Sequence, residues 1–109
     1  MSNAAEAQHW KLVRERWLTQ IAQDAELPFH VYKIAYFLAA LTNDKTHQCW
    51  PRTDKSAKKI GYRSSLVRRA IDLLAQHGHM IQVDSPGEGL RPLFWRLIVK
   101  AQPEEAQTS

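Results

Sequence analysis

The fold of this chain is decided by residues 51–80, which read PRTDKSAKKIGYRSSLVRRAIDLLAQHGHM. A short helix is predicted over about Thr53 to Ile60, and Gly61 follows it where helices commonly end in a left-handed residue. A longer helix is predicted over about Ser64 to His77, with Ser64 as its N-cap and Gly78 after its end. Its buried face is marked by apolar residues at helical spacing, namely Val67, Ala70, Ile71 and Leu74.

Positive charge is concentrated in the same segment. Residues 52–69 contain seven basic residues and one acidic residue, a net charge of +6, whereas the whole chain carries +4. The remainder of the chain is therefore slightly acidic, and an asymmetry of this kind indicates an anionic partner. The seven cations are Arg52, Lys55, Lys58, Lys59, Arg63, Arg68 and Arg69.

Two further helices and a very short strand are predicted before this segment. The second helix, about Pro28 to Leu41, is apolar nearly all round, which is typical of a central helix packed on several sides. Pro28 suits its first turn, where a backbone N–H is not needed, and Gln48 to Trp50 is predicted as the strand. The first helix, about Glu6 to Gln23, carries one apolar stripe made of Trp10, Val13, Trp17 and Ile21.

The hydrophobic period changes after Gly78. Met80 to Val83 and Leu93 to Val99 are β-prone runs, and the Gly- and Pro-containing loop between them predicts a hairpin. Residues 101–109 are polar and acidic, which indicates a disordered tail. The predicted fold class is α+β, mainly α, with the helices preceding a C-terminal β-hairpin.

This order of elements resembles the winged helix-turn-helix family, in which the hairpin is the wing. The family pattern is Ala-x-x-Leu-Gly, a short turn, a helix with apolar core positions, then Gly and an apolar residue. Tyr36 to Leu38 and Trp50-Pro51 also resemble a subgroup found in bacterial plasmid and phage replication proteins and small regulators. The pattern departs at Ser56, where an apolar residue is usual, and at Arg63 and Leu66. The matching positions are Ala57, Ile60, Gly61, Val67, Ile71, Leu74, Gly78 and Met80.

The resemblance implies that the helix from about Ser64 to His77 lies in the major groove of double-stranded DNA. The alternative for its polar face is a solvated surface with an Arg68–Asp72 pair. The base-reading candidates are Arg63, Ser64, Ser65, Arg68 and Arg69. The phosphate-contact candidates are Arg52, Thr53, Lys55, Lys58, Lys59 and, at the tip of the predicted wing, Arg91.

Residues 1–27 hold the N-terminal helix, which is a possible dimerisation element. Its stripe of Trp10, Val13, Trp17 and Ile21 is the candidate seam of a homodimer. The alternative is that the stripe packs on the second helix of the same chain. The resemblance then implies that residues 28–100 form the winged helix-turn-helix domain.

The leading interpretation is a sequence-specific DNA-binding protein that regulates transcription. One alternative is the DNA-binding domain of a plasmid or phage replication initiator, and another is a winged helix that contacts proteins. The sequence lacks a catalytic motif, so no enzyme is predicted. Five scattered histidines and the single Cys49 predict neither a metal site nor a cofactor, and no small-molecule effector is evident.

The expected location is the cytoplasm. A lone cysteine fits a reducing compartment, and residues 1–8 lack the pattern of a signal peptide. The longest apolar stretch, Ile34 to Leu41, is far shorter than the roughly 20 residues of a membrane span, so no membrane partner is predicted.

Overall fold

The predicted helices and strands occur in the predicted order in the computed structural model, which describes residues 2–83 and 94–100. The described ranges hold four helices and one small antiparallel sheet, which confirms a mainly helical α+β fold. None of the described helices combines the length and apolarity needed to cross a membrane. The helices are α1 (Ser2–Ala22), α2 (Phe29–Leu41), α3 (Thr53–Ile60) and α4 (Ser64–Gln76), and the strands are β1 (Gln48–Cys49), β2 (Met80–Val83) and β3 (Phe94–Leu97).

Helix α2 is the centre of the fold, as its apolar sequence predicts. It contacts α1, α3, α4 and β1, and Val31, Ile34 and Leu38 are fully buried. Its start differs from the expectation, because Pro28 is the N-cap rather than part of the first turn. Pro28 has an extended ψ of 156°, so the helix begins at Phe29.

Helix α1 buries its apolar stripe inside the same chain. Trp10, Trp17 and Ile21 are buried and Val13 is partly buried against the core. The Trp17 Nε1–H donates to the carbonyl of His79 at 2.7 Å. The stripe expected as a dimer seam is therefore a core contact, because α2 of the same chain lies alongside it. The homodimer stays a prediction with no seam assigned to it.

The sheet has the order β1-β3-β2, with β3 antiparallel to both neighbours. Trp95 pairs with Cys49 on one side and with Gln82 on the other. Trp95 and Leu97 are buried while Arg96 is exposed, the alternation expected of a strand with one face against the core. The predicted wing tip and the loop that carries it fall in residues 84–93, outside the described residues. The predicted tail, residues 101–109, lies outside them as well. The sequence predicted a hairpin alone, and β1 was not expected to join it.

Replacing Trp17 with alanine should lower the free energy of unfolding by about 3–5 kcal/mol, because the change leaves a cavity in the core. It also removes the donor to the buried His79 carbonyl. Leu12→Ala is the control on the same helix, since Leu12 is 61% exposed and its loss should cost less than about 0.5 kcal/mol. Urea unfolding followed by circular dichroism measures both values. Similar small losses for the two variants would contradict the placement of Trp17 in the core.

Candidate nucleic-acid interface

The turn between α3 and α4 depends on Gly61, whose φ is +75°. The N–H groups of Gly61 and Tyr62 both donate to the carbonyl of Ala57, at 2.9 and 3.0 Å, and so close the end of α3. A residue with a side chain rarely adopts this left-handed backbone, whereas glycine does so readily. The sequence-based assignment of Gly61 to the end of α3 is therefore confirmed.

The N-cap of α4 is Arg63 and not Ser64, which corrects the expectation. Arg63 has the extended backbone that an N-cap requires, with φ −74° and ψ 148°, and its side chain makes no capping hydrogen bond. Ser64 is the first helical residue. Its hydroxyl lies 3.5 Å from Asp54 Oδ1, a long contact between the starts of α4 and α3.

The inward faces of α3 and α4 set the direction of their polar faces. On α4 the four predicted core residues, Val67, Ala70, Ile71 and Leu74, are buried. On α3 the buried residues are Ser56 and Ala57, so the small serine occupies an interior position where the family pattern favours an apolar residue. Because these residues anchor both helices, the charged side chains between them project outward.

All seven cations of residues 52–69 are exposed. Within residues 2–83 and 94–100, none of the seven forms an ion pair with an acidic side chain. Arg52 instead lies over the ring of Trp50, with Cζ 5.4 Å from the ring centroid. The described part of the chain therefore leaves the positive charge of this surface unneutralised and available to attract an anion.

A groove of about 630 Å³ runs between α3, α4 and β3. It brings together four of the phosphate candidates and one base-reading candidate, namely Arg52, Thr53, Lys55, Lys58 and Arg68. Two carboxylates, Asp54 and Asp72, line the same groove, so its net charge is less positive than that of the surface around it. Sequence reasoning missed Trp50 and Trp95 as lining residues, because β3 meets the helices only through the tertiary fold.

The other candidates lie outside this groove. Arg63, Ser65 and Arg69 are exposed on or next to α4 and Ser64 is partly exposed. Lys59 lines a smaller groove of about 150 Å³ on another side of α3, with Phe37 and Leu41. Arg91 lies outside the described residues. The structure therefore separates Lys58 from Lys59, although the two are adjacent in sequence.

A second cluster of polar groups joins the α1–α2 connection to the turn between α4 and β2. Asp24 Oδ2 lies 2.9 Å from His77 Nδ1 and 2.8 Å from His79 Nε2. The other ring nitrogen of His79, Nδ1, lies 2.9 Å from Gln20 Nε2. The sequence analysis did not predict this cluster. The His77-Gly78-His79 spacing was a signal, but Asp24 is 53 residues from His77 and no local pattern connects them.

The cluster fixes the charge of its carboxylate. Partial burial by itself would raise the pKa of Asp24, but hydrogen bonds from His79, His77 and the Glu26 N–H lower it to about 2. Burial lowers the pKa of His79, and this effect outweighs the opposing influence of Asp24. Near neutral pH the cluster therefore presents an ionised carboxylate to an uncharged His79 ring.

Comparison with known proteins adds no further guide to the site. No protein-family model matches this chain, and neither the curated proteins nor the solved structures gave a match. The functional argument therefore rests on the two surfaces described above, the basic surface of α3 and α4 and the Asp24–His77–His79 cluster.

Substitution of Gly61 tests the turn that orients α4. A Cβ at this position would meet no atom within 4 Å, so only the left-handed backbone opposes a side chain. We expect Gly61→Ala to lower the free energy of unfolding by about 1–2 kcal/mol. Gly61→Asn should cost less, because asparagine tolerates this conformation better than alanine does. Thermal unfolding of both variants gives the order, and an alanine variant as stable as the parent would contradict the assigned turn.

Proposed function

We propose that this chain is a winged helix-turn-helix protein that binds double-stranded DNA sequence-specifically and regulates transcription. In this proposal α3 and α4 are the helix-turn-helix, α4 is the recognition helix, and β2 with β3 forms the wing. Support comes from the order of the elements, with a tight turn between α3 and α4 and antiparallel strands directly after α4.

One observation carries the proposal: seven exposed cations that pair with no acidic side chain of the described residues lie on α3, on the residue before it, on the turn and on α4. DNA carries about one negative charge per 1.7 Å of its axis, so a protein that binds it gains affinity by neutralising phosphates. The major groove is about 12 Å wide and admits one helix. A rigid helix pair with a basic outer surface has both the charge and the shape for that groove.

The two helices have different roles in this arrangement. On α3, Lys55, Lys58 and Lys59 contact phosphates and hold the protein in register, without reading the sequence. On α4, Arg68 lines the protein groove between α3, α4 and β3, and it reads a guanine through paired hydrogen bonds. Asp72 lies one turn further along α4, and its carboxylate repels phosphates. The DNA backbone therefore passes beside the protein groove that Asp72 lines. In this proposal Asp72 accepts a hydrogen bond from a cytosine amino group.

Replacing Lys58 and Lys59 together with alanine should weaken binding to every duplex by a similar factor, because phosphate contacts do not depend on sequence. The slope of log K against log salt should become shallower by about 2, since each lost contact contributes about 0.9. Fluorescence anisotropy of a labelled random duplex, titrated at several salt concentrations, measures the affinity and the slope.

The matched control is Lys11→Ala combined with Lys45→Ala. This pair removes the same formal charge from exposed positions outside α3 and α4, so it should leave the slope close to that of the parent. Equal losses of affinity and slope in the two double variants would show that net charge alone drives binding. That result would remove α3 from the DNA interface.

Sequence reading depends on Arg68. Arg68→Ala should lose about 1–3 kcal/mol of discrimination between the preferred site and a scrambled duplex, because a bidentate guanine contact is worth that much. Arg68→Lys keeps the charge but not the planar fork, so it should bind random duplex like the parent and still discriminate poorly. Arg69→Ala, outside the groove, should weaken both duplexes equally.

Selection of bound sites from a random DNA pool supplies the preferred duplex for these titrations. A two-fold symmetric motif would indicate a homodimer on DNA. Equal loss of affinity for the preferred and scrambled duplexes in Arg68→Ala would make Arg68 a phosphate contact and would contradict its base-reading role. The three arginine variants must be compared at one salt concentration, because affinity depends steeply on salt.

A further inference from the structure

We propose that Asp24, His77 and His79 form a binding site for one zinc ion, independent of the DNA-binding surface. The three ligand atoms, Asp24 Oδ2, His77 Nδ1 and His79 Nε2, all lie within 4.8 Å of one another. Two imidazoles and one carboxylate are a ligand set that zinc accepts, with a fourth position left for water. This site has no role in the proposed DNA binding and stands on separate observations.

The fold brings the three ligands together from two connections between its elements. His79 is almost fully buried, and Trp17 Nε1 donates to its backbone carbonyl at 2.7 Å. His77 and Asp24 are partly exposed, at 21% and 17% of their side chains, so an ion and its water can reach them from solvent. Gly78 between the two histidines has φ +79°, which turns the backbone so that both rings lie beside the same carboxylate.

Gln20 determines where the proton of His79 lies before an ion binds. Gln20 Nε2 donates to the carbonyl of Ile98 at 2.7 Å, and Gln20 Oε1 accepts from the N–H of Lys100 at 2.9 Å. The amide therefore presents its NH₂ group to His79 Nδ1, and the neutral ring carries its proton on Nε2, where it donates to Asp24.

Zinc must displace that proton. Coordination through Nε2 places the ring proton on Nδ1, so the Gln20 amide has to turn its oxygen toward the ring and give up its contacts with Ile98 and Lys100. Lys100, whose ammonium donates to the carbonyl of His77, adds a positive charge beside the ion. Both effects oppose binding, so the affinity should be below that of closed four-ligand zinc sites.

The bound ion would join segments distant in sequence. Asp24 belongs to the connection between α1 and α2, whereas His77 and His79 belong to the turn that leads from α4 into β2. An ion bound only by the folded chain stabilises it by mass action. Zinc should therefore raise the melting temperature of the chain in proportion to the logarithm of its concentration above the dissociation constant.

The test uses the full chain without a polyhistidine tag. Cobalt(II) is titrated first, and its visible absorption should reach a plateau at one equivalent. Zinc should then abolish that absorption by displacing the cobalt. His77→Gln should weaken zinc binding at least tenfold and remove the rise in melting temperature. The control, His9→Gln, changes an exposed histidine on α1 and should leave both values unchanged.

A measurement on the unsubstituted chain covers the case in which a variant fails to fold. In proton NMR, zinc should shift the ring resonances of His77 and His79 while those of His9 and His30 remain in place. The proposal is overturned if the chain takes up no cobalt or zinc. It is equally overturned if His77→Gln binds zinc as tightly as the parent, or if zinc shifts the resonances of other histidines instead.

Discussion

The burial of one face of α4 against the central helix α2 is the constraint on which the rest of the structure depends. Val67 and Leu74 are fully buried and Ile71 nearly so, so α4 cannot rotate about its axis without exposing apolar surface. The positions between them, among them Arg68, are thereby held outward. Charge attracts an anion from any direction, whereas a fixed helix presents each cation at a defined place, and sequence reading requires that placement.

The sheet is attached to the helices by a small number of buried polar contacts as well as by packing. Trp17 and Gln20 are both on α1, and both reach the backbone near the ends of β2 and β3. Helix α1, whose apolar stripe was the candidate dimer seam, therefore supports the sheet of its own chain. The polar contacts of α1 therefore help to position the sheet on the helices, while its two tryptophans are buried in the core.

The features that sequence reasoning predicted are those encoded by neighbouring residues. The bounds of α3, the buried face of α4 and the left-handed glycines at positions 61 and 78 all follow from periodicity or local backbone preference. The pairing of β1 with β3 could not be predicted, since two residues are too few to show alternation. The Asp24–His77–His79 cluster and the groove beside Trp95 were missed for a different reason, because their residues come from distant segments that meet only when the helices pack.

The central place of β3 in the sheet has a consequence for the order of folding. Both β1 and β2 bond to β3, and β3 is the last element of the described chain, so β1 has no partner until the C-terminal strand is available. The helices make their main contacts with near neighbours in sequence and can assemble early. During synthesis on a ribosome, the three strands can therefore combine only after β3 has been made, and until then the helices alone must shield the core.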